Sequence, residues 1–362
     1  CIDNDLVFVG PTPESIDKLG DKSLAKRIMA EAGLPTIPGT EGILESVAEA
    51  TRVAADVGYP VMLKAASGGG GRGMRLVGSP AALERSYQAA SAEALAAFGD
   101  GGLYLEKVVE RPHHVEVQVI GDGRGGVLTL GERDCSIQRR HQKVLEESPS
   151  PLLDAEGRAR LLEVATEACS AIRYLSAGTL EFLADEHRDF FFMEMNTRVQ
   201  VEHPVTEMVT GIDVVREQIR VASGEPLIAT GSVVPNGHAM EFRINAEDPA
   251  NGFLPRGGVI KRLRLPGGPG VRVDTHLYEG YEVPTNYDSL LAKVIVWDRD
   301  RASCIARGLR CLDELEIEGL PTTKDLHLDI LRHERFVAGN ISTAYLDEAR
   351  EELATLRGAT PC

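Results

Sequence analysis

The sequence has no long hydrophobic run and few cysteines, and each absence excludes a class of protein. No stretch approaches the roughly 18 consecutive apolar residues of a membrane-spanning helix, and no basic region followed by an apolar core opens the chain as a secretory leader would. The six cysteines are scattered without a Cys-x-x-Cys pair, so the spacing of a zinc site is missing. Unpaired thiols are typical of a reducing compartment, and we expect a cytoplasmic protein that does not bind membranes.

Positive charge is also in deficit. The chain has 39 lysines and arginines against 55 aspartates and glutamates, which gives a formal net charge of −16. An acidic surface disfavours binding to nucleic acids or anionic membranes, so an anionic substrate would need a local basic cluster. The length of 362 residues, with 43% hydrophobic and 26% charged residues, predicts a globular protein of two or three structural units, since domains commonly contain about 100–200 residues.

Strand and helix patterns alternate along the chain. Alternating apolar and β-branched residues predict strands at residues 6–9, 59–65, 74–77, 103–109, 115–120, 127–130, 179–184, 190–195 and 239–244. Apolar residues at helical spacing predict helices at residues 15–33 with a break near Gly20, 81–98, 155–175, 212–223, 302–315 and 324–333. Because several strand pairs have the pattern of hairpins, the predicted class is α+β (α/β) with antiparallel parts.

A glycine-rich stretch, Gly68 to Gly73, stands between two predicted strands, with Lys64 just before it. It formally matches G-x-G-x-x-G, but a dinucleotide-binding fingerprint needs a helix after the glycines, and here a strand follows. The sequence contains no G-x-x-x-x-G-K-[ST] motif, which excludes a P-loop. Two interpretations remain, a flexible surface hairpin and a lid whose backbone N–H groups cover phosphate oxygens. Lys64 and the carboxylates further along the chain favour the lid.

Two glutamates are predicted to face each other across a hairpin. The strands at 179–184 and 190–195 flank a polar turn, and pairing them about the midpoint between His187 and Arg188 places Glu181 opposite Glu194. Two carboxylates directly opposite one another among apolar residues are unfavourable. A divalent cation would remove this conflict, because carboxylates and substrate phosphates are the usual ligands of Mg²⁺.

Polar side chains continue at every second position after Glu194. Asn196, Arg198, Gln200 and Glu202 would project from one face if the segment stayed extended. The solvated face of an edge strand is the alternative, but the large apolar residues before Asn196 indicate a central strand. The pattern favours a metal and anion site, with Glu194 and Asn196 for the metal, Arg198 for an anion and Glu202 as a base.

A basic cluster at residues 132–143 follows the predicted strand at 127–130. Its cationic or titratable members are Arg133, Arg139, Arg140, His141 and Lys143. Charge runs of this kind are most often solvated loops. In an acidic protein, however, the cluster would supply the anion site that the rest of the surface lacks.

Taken together, these motifs resemble the biotin carboxylases of the ATP-grasp superfamily. The two most specific runs are Glu-Met-Asn-x-Arg-x-Gln-Val-Glu-His-Pro at residues 194–204 and Arg-Asp-Cys-Ser-x-Gln-Arg-Arg-x-Gln-Lys at residues 133–143. Further matches, in the order of the family, are Gly20 to Lys22, Lys64 to Met74, Glu106-Lys107, His114 to Gln118, Gly178 to Phe182 and Glu241 to Pro249. The resemblance covers almost the whole chain.

The resemblance implies a role for each matched position. The nucleotide group would be Lys22, Lys64 and His114 at ATP, Glu106 and Lys107 near the adenine, Gly69, Gly70 and Gly71 as a lid over the phosphates, and Gln138 and His141 beside the ribose and phosphates. The Mg²⁺ (or Mn²⁺) ligands would be Glu181, Glu194 and Asn196. The bicarbonate and biotin group would be Lys143, Arg198, Gln200, Val201 and Glu202, with Glu202 as the base, and Arg243 at the ureido oxygen of biotin.

The resemblance also implies the architecture, an ATP-grasp fold with a glycine-rich lid subdomain and a C-terminal biotin carboxylase domain. Residues 21–108 and 109–235 would form the first and second halves of the ATP-grasp fold, and residues 236–350 the C-terminal domain. Residues 1–20 would be the remnant of an N-terminal domain, and residues 351–362 a tail. We therefore expect an N-terminally truncated chain.

The implied activity is the ATP- and bicarbonate-dependent carboxylation of biotin through carboxyphosphate, the first half-reaction of a biotin-dependent carboxylase. The chain has no Met-Lys-Met tripeptide that could accept biotin, so the biotin would be carried by a separate biotin carboxyl carrier protein or domain. A carboxyltransferase subunit and, in the full-length form, a second copy of the chain in a homodimer are the other expected partners.

Two other interpretations stay open at the level of the sequence. One is a different ATP-grasp ligase that joins a carboxylate to an amine, against which the basic cluster and the Gln-Val-Glu-His run argue. The other is an inactive truncated module that still binds nucleotide or partner subunits. Bicarbonate-dependent ATP hydrolysis stimulated by free biotin would separate the three.

Overall fold

Polar side chains explain where several helices begin. Thr12, Asp21 and Ser46 each precede a helix, and the side-chain oxygen of each accepts a hydrogen bond from the backbone N–H three residues later. Asp154 and Asp300 cap two later helices in the same way. Such caps satisfy backbone donors that the first helical turn leaves without partners. These helix starts are therefore encoded locally in the sequence.

The structure, a computed structural model, describes residues 1–40, 42–67 and 73–353. Its α-helices are α1 Pro13–Gly20, α2 Lys22–Glu31, α3 Val47–Val57, α4 Pro80–Phe98, α5 Ala155–Ala171, α6 His203–Thr210, α7 Val214–Ala222, α8 Arg301–Glu314, α9 Lys324–Arg332, α10 Glu334–Val337 and α11 Tyr345–Glu348. Short 3₁₀ helices cover Ile2–Asn4 and Pro249–Asn251. Within the described ranges, no helix combines the length and the apolar character needed to cross a membrane.

The strands are mostly short, and the longest lie in the middle of the chain. They are β1 Val61–Ala65, β2 Met74–Val77, β3 Leu103–Lys107, β4 His113–Asp122, β5 Val127–Arg139, β6 Gln142–Ser148, β7 Leu175–Ala184, β8 Phe190–Asn196, β9 Gly231–Ser232, β10 His238–Asn245, β11 Glu247–Asp248, β12 Leu254–Pro255, β13 Gly258–Val259, β14 Arg262–Arg264, β15 Val271–Thr275, β16 Glu282–Val283, β17 Leu290–Asp298 and β18 Glu316–Glu318. The predicted lid residues Gly69, Gly70 and Gly71 fall outside the described ranges.

Two sheets organise these strands. A three-stranded antiparallel sheet has the order β2-β1-β3. A nine-stranded sheet has the order β15-β17-β10-β6-β5-β4-β7-β8, with β9 paired to β5. Every pairing in the large sheet is antiparallel except that of β5 with β9. Helices combined with mainly antiparallel sheets confirm the predicted α+β class.

Each part of the fold has its own apolar core. In the three-stranded sheet, Val61, Leu63 and Leu105 pack with alanines of α3 and α4. One end of the large sheet packs against α2 and α5. The other end, β10 and β17, packs against α8 and α9. Because β6 pairs directly with β10, the sheet is continuous across the predicted domain boundary between residues 235 and 236. The predicted domain boundaries themselves stay a prediction.

Two predicted strands differ from the structure. Residues 6–9 form no strand, since no other described strand lies beside them, and Val7 is 71% exposed. The strand predicted at 127–130 continues to Arg139. The basic cluster is therefore mostly a buried strand rather than a loop, and its members Arg133, Asp134 and Lys143 pair with groups of opposite charge on the neighbouring strands β4 and β7.

The core of the C-terminal part can be tested at Phe242. Its fully buried ring lies 5.5 Å, centroid to centroid, from the ring of His327. Phe242→Ala should lower the free energy of unfolding by about 3–5 kcal/mol, because it removes buried apolar surface and leaves a cavity. Denaturant-induced unfolding measures the loss. Phe8→Ala, at a side chain that is 53% exposed, is the matched control and should change stability by less than about 0.5 kcal/mol. Equal losses for the two variants would contradict this core.

Candidate active site

A single cleft of about 1470 Å³ brings together all the predicted site residues that the structure describes. They come from α2, the three-stranded sheet, β4, the β5–β6 and β7–β8 hairpins, the segment after β8, and β10. The predicted residues that line the cleft are Lys22, Lys64, Glu106, Lys107, His114, Gln138, His141, Lys143, Glu181, Glu194, Asn196, Arg198, Gln200, Val201, Glu202 and Arg243.

Lys143 lies at the centre of this cleft. Its ammonium group is 2.5 Å from Glu116 Oε2 and 3.2 Å from Glu181 Oε1, and it also donates a short hydrogen bond to Glu202. All three carboxylates are buried. Burial by itself would lower the pKa of Lys143, but the surrounding carboxylates raise it well above its ordinary value. Lys143 is therefore held as a cation.

Two of the carboxylates around Lys143, Glu116 and Glu181, are held as anions. Burial would raise the pKa of Glu116, but Lys143 and Arg133 outweigh it and lower that pKa to about 2. Burial likewise opposes the shift at Glu181, whose pKa is lowered by His114 and Lys143. The centre of the cleft thus carries fixed charges of both signs in a largely dry environment, where electrostatic interactions are stronger than in water.

Glu181 and Glu194 are directly opposite each other on β7 and β8, which confirms the predicted hairpin register. A bulge shifts the pairing by one residue after Glu181. The predicted register therefore holds at Glu181 and toward the cleft, but not from Phe182 toward the turn. Glu181 Oε1 accepts hydrogen bonds from Asn196 Nδ2 at 2.9 Å and from Gln200 Nε2 at 2.8 Å. Glu194 pairs with Lys22 at 2.7 Å. Two carboxylates and an amide therefore stand together at this edge of the sheet.

The segment after β8 reaches the cleft in a different way from the one predicted. The strand ends at Asn196, and the chain then leaves the sheet and turns at Val201 and Glu202 before α6 begins. Arg198 and Gln200 line the cleft, as predicted, and so does Val201, which the alternation would have placed on the opposite face. The prediction of one extended polar face from Glu194 to Glu202 was therefore wrong, because the turn at Val201 and Glu202, and not strand alternation, directs Glu202 into the cleft.

Arg243 connects Glu202 to a further glutamate. Its Nη2 atom lies 2.8 Å from Glu202 Oε2 and 2.5 Å from Glu146 Oε1. Its Nε atom also donates to Glu146 Oε1 at 2.6 Å. Because Arg243 belongs to β10 and Glu146 to β6, this contact links the C-terminal part of the chain to the centre of the cleft.

Glu106 organises the lysines at the other end of the cleft. Its buried carboxylate lies 2.5 Å from Lys64 Nζ and 2.9 Å from Lys26 Nζ. Lys107, its neighbour, turns its ammonium group to the backbone carbonyls of Gly58 and Tyr59, at 3.1 and 2.8 Å. Three lysines, Lys22, Lys26 and Lys64, therefore present their charges to this end.

The β5–β6 hairpin brings His141 to the cleft through an unusual turn. Arg140 and His141 both have positive φ, 49° and 64°. Two-residue hairpin turns of this hand normally use asparagine or glycine. His114, on β4, has its Nε2 atom 3.1 Å from Glu181 Oε2, and its Nδ1 atom is 3.5 Å from Gln138 Nε2. The two histidines and Gln138 thus flank the central charges.

Arg133 is the most important contact residue that the sequence left without an individual role. It is completely buried, and its guanidinium donates to Glu116, Gln118, Thr206, Thr179 and Gln200 at 2.6 to 3.3 Å. It cannot serve as an anion site because its donors are already used. Instead, it fixes Glu116, which contacts Lys143, and Gln200, which contacts Glu181.

Glu116 was missed as well, although the sequence contained a signal for it. His114, Glu116 and Gln118 alternate with valines along β4, and such alternation predicts one polar and one apolar face. Both faces of β4 are in fact buried, so the polar face had to meet polar partners. Glu116 also lies in two groups of possible metal-ligating atoms, one with His114 and Glu181 and one with Cys135 and Glu202.

The Arg133 network can be tested by its contribution to stability. Arg133→Met keeps a long side chain but leaves the buried Glu116 without one of its two cations. The free energy of unfolding should fall by about 3–5 kcal/mol, as when one member of a buried ion pair is removed. Urea unfolding followed by circular dichroism measures it. Arg124→Met, at an exposed position, is the control, and a comparable loss there would contradict the network.

The chain was also compared with known proteins. Residues 21–230 match the family described as carbamoyl-phosphate synthase L chain, ATP binding domain, and residues 241–348 match the biotin carboxylase C-terminal domain. The chain is 54% identical over 349 residues to the biotin carboxylase of Nostoc sp., which covers 96% of this chain and 78% of that relative.

Solved structures agree with this result. The crystal structure of a biotin carboxylase–βγ-ATP complex from Campylobacter jejuni is 50% identical, with a TM-score of 0.91 over 96% of this chain and 78% of that one. The biotin carboxylase domain dimer of 2-oxoglutarate carboxylase from Hydrogenobacter thermophilus, solved with MgADP, ADP and bicarbonate, is 48% identical, with a TM-score of 0.90 over 98% of this chain and 78% of that one. The predicted ATP-grasp fold is thereby confirmed, and the chain belongs to the biotin carboxylase family of ligases, which carboxylate biotin with ATP and bicarbonate.

Proposed function

We propose that this cleft carries out the family's reaction with the residues that the sequence assigned to it. The observation that carries the proposal is the position of Lys143, which joins Glu181, at the predicted metal end, to Glu202, the predicted base. ATP and bicarbonate must meet at adjacent points for a phosphoryl group to pass between them. The Lys143 cluster offers such a meeting point.

ATP would bind across the lysine end of the cleft. Lys22 and Lys64 would contact its phosphates and offset the charge of the transferring phosphoryl group. The other nucleotide contacts would be His114, Gln138 and His141 toward the phosphates and ribose, Glu106 and Lys107 toward the adenine, and Gly69, Gly70 and Gly71 as a lid. The ammonium group of Lys107 already has two carbonyl partners, so its part near the adenine would fall to its backbone.

Glu181, Glu194 and Asn196 fit a divalent metal ion. They offer two carboxylates that face each other across a strand pair and an amide beside them, and Mg²⁺ or Mn²⁺ prefers such oxygen donors. When bound, the ion would supply positive charge to the phosphate oxygens. Lys22, which pairs with Glu194 at 2.7 Å, supports the same region from the protein side.

Bicarbonate would lie among Lys143, Arg198, Gln200, Val201 and Glu202. Glu202 would accept its proton while a bicarbonate oxygen attacks the γ-phosphorus of ATP and the bond to ADP breaks, giving carboxyphosphate. A carboxylate positioned by Lys143 and Arg243 is suited to this role because both cations fix its orientation. Cleavage of the C–O bond of carboxyphosphate would then release CO₂ and phosphate.

Arg243 would act on biotin in the second step. Loss of the N1′ proton to the released phosphate places negative charge on the ureido oxygen, and N1′ then attacks CO₂. The guanidinium of Arg243 would stabilise that oxygen, as hydrogen-bond donors stabilise other developing oxyanions. Its two contacts with Glu146 Oε1, through Nε and Nη2, hold it in place for this task.

The partners are proposed from the resemblance and from the relatives. The relative from Hydrogenobacter thermophilus is one domain of a larger carboxylase and forms a dimer. For this chain we propose a biotin carboxyl carrier protein or domain, a carboxyltransferase subunit and a homodimer. A cytoplasmic location stays a prediction, supported by the four buried free thiols, Cys135, Cys169, Cys304 and Cys311.

The proposed base can be tested with Glu202→Gln. Bicarbonate-dependent ATP hydrolysis stimulated by free biotin should fall by about 10²–10⁴-fold, the usual contribution of a general base. The affinity for ATP, measured by calorimetry, should stay nearly unchanged because Glu202 lies away from the lysine end. Glu110→Gln, at an exposed position, is the control. A comparable loss of nucleotide affinity would contradict the assignment, and stimulation by an amine in place of biotin would favour another ATP-grasp ligase.

The proposed metal ligands can be tested with Glu194→Gln. The Mg²⁺ concentration that gives half-maximal ATP hydrolysis should rise at least about tenfold, since one of the anionic donors is lost. Glu186→Gln, in the exposed turn of the same hairpin, should leave that concentration unchanged. An unchanged Mg²⁺ requirement in Glu194→Gln would remove this residue from the metal site.

A further inference from the structure

Behind Arg243 lie two glutamates to which neither the sequence nor the proposed mechanism gave a role. Glu146 on β6 and Glu241 on β10 are directly opposite each other in the sheet, and both are completely buried. Side chains opposite each other on antiparallel strands project to the same face about 5 Å apart. The two carboxyl groups therefore share one buried space.

The face that they share is covered by α6. Ala239 and Ile295 pack with Val205 and Val209 of that helix, while Phe242 and its even-numbered neighbours belong to the core on the other side. Because strand side chains alternate, Glu241 lies on the α6 side together with Arg243. Both carboxyl groups are completely buried, so the space gives little access to water.

The two carboxyl groups differ in their partners. Glu146 Oε1 holds Arg243 with two contacts, at 2.5 and 2.6 Å. Within the described part of the chain, Glu146 Oε2 and both oxygens of Glu241 lack a hydrogen-bond partner. A buried carboxylate without a donor is far more costly than a neutral carboxyl group. Two facing carboxylates that have no cation between them also disfavour the state in which both are ionised.

The neighbouring cations are already committed to other groups. Arg243 pairs with Glu146 and Glu202, and Lys293 of β17 donates to the Val201 carbonyl at 2.9 Å and lies 3.4 Å from Asp274.

The other titratable or charged groups on the surrounding elements also have partners. They are Lys143 on β6, which is surrounded by three carboxylates, Arg133 on β5, which pairs with Glu116, His238 on β10, which bonds Glu147, and His203 and Glu207 on α6, which bond the Gln200 carbonyl and Arg272. Cys135 on β5 is a buried thiol, and burial raises its pKa well above the ordinary value. None of these cations contacts Glu241. Burial raises the pKa of Glu241 well above its ordinary value, and Glu146 adds to the shift. Burial raises the pKa of Glu146 to about 7, with Arg243 opposing the shift and Glu202 adding to it.

We propose that the pair of Glu146 and Glu241 binds a single proton and that Glu241 carries it. The neutral carboxyl group of Glu241 is then a positioning element for Arg243. With the proton on Glu241, Glu146 carries a single charge that pairs with Arg243. The guanidinium then stays between Glu146 and Glu202. A second charge behind it would draw Arg243 away from Glu202. The functional part of this proposal rests on the proposed role of Arg243, whereas the shared proton does not.

The proton can be tested by the pH dependence of stability. A carboxyl group whose pKa is raised by folding costs the folded state stability as pH rises above about 4.3, the ordinary pKa of glutamate, until the folded-state pKa is reached. Glu241→Gln removes this cost. The melting temperature of Glu241→Gln minus that of the wild type should therefore increase by several degrees between pH 5 and pH 8. A difference that is flat or decreases would show that Glu241 is ionised and would overturn the proposal.

Glu147 provides a matched control on the same strand. It is equally buried, but Arg301 and His238 lower its pKa against the effect of burial. The same difference for Glu147→Gln should stay nearly flat between pH 5 and pH 8, unlike that for Glu241→Gln, because a lowered carboxyl pKa changes stability only below about pH 4.3. If Glu241→Gln does not fold, Glu241→Met, which is also neutral, should give the same sign. Parallel curves for the two positions would overturn the proposal.

The positioning role needs a kinetic readout. Glu241→Ala should raise KM for free biotin about tenfold, because Arg243 loses the group behind it, and Glu241→Gln should recover most of that loss. Equal KM values in Glu241→Ala and the wild type would overturn the positioning role. If the wild-type protein itself shows no biotin-stimulated activity, the proposed function fails, while the stability curves still decide the state of Glu241.

Discussion

The ammonium group of Lys143 is the interaction on which the rest of the site depends. Glu116, Glu181 and Glu202 converge on it from three different parts of the chain, and all three are buried. Without this cation, three carboxylates would face one another away from water, which is among the most costly arrangements in a protein. Lys143 therefore determines how closely the proposed metal ligands and the proposed base can approach each other.

Two further arginines extend this charge balance outward. Arg133 links Glu116 to Gln200 and to Thr206 of α6, so the strand that carries Glu116 and the helix that follows Glu202 are fixed to each other. Arg243 links Glu202 to Glu146. Because Arg243 lies on β10, the part of the chain that matches the C-terminal domain contributes directly to the centre of the cleft. Glu116, Arg133, Glu146 and Arg243 all lie on strands of the continuous nine-stranded sheet, which fixes their distances, whereas Glu202 lies in the turn before α6.

Local patterns predicted much of this arrangement, and long-range packing decided the rest. The register of Glu181 with Glu194 follows from the symmetry of one hairpin, and it was confirmed. Glu202 reaches the cleft through a turn that no alternation pattern contains. Arg133 was predicted only as a member of a basic cluster that supplies an anion site, because its partner Thr206 is 73 positions away in the sequence. Glu241 likewise faces Glu146 on another strand, nearly one hundred positions earlier in the sequence. The strand predicted at residues 6–9 was wrong because strand propensity alone forms no sheet without a neighbouring strand.

The passage of oxygen atoms from bicarbonate into phosphate tests the proposed chemistry most directly. If bicarbonate attacks ATP beside Lys143, the oxygen that bridges carbon and phosphorus stays with phosphate when CO₂ leaves. Turnover with ¹⁸O-labelled bicarbonate and biotin should therefore give inorganic phosphate that carries one labelled oxygen, as measured by mass spectrometry. Phosphate that takes its new oxygen only from water would contradict attack by bicarbonate and would reduce the Lys143 cluster to a structural element.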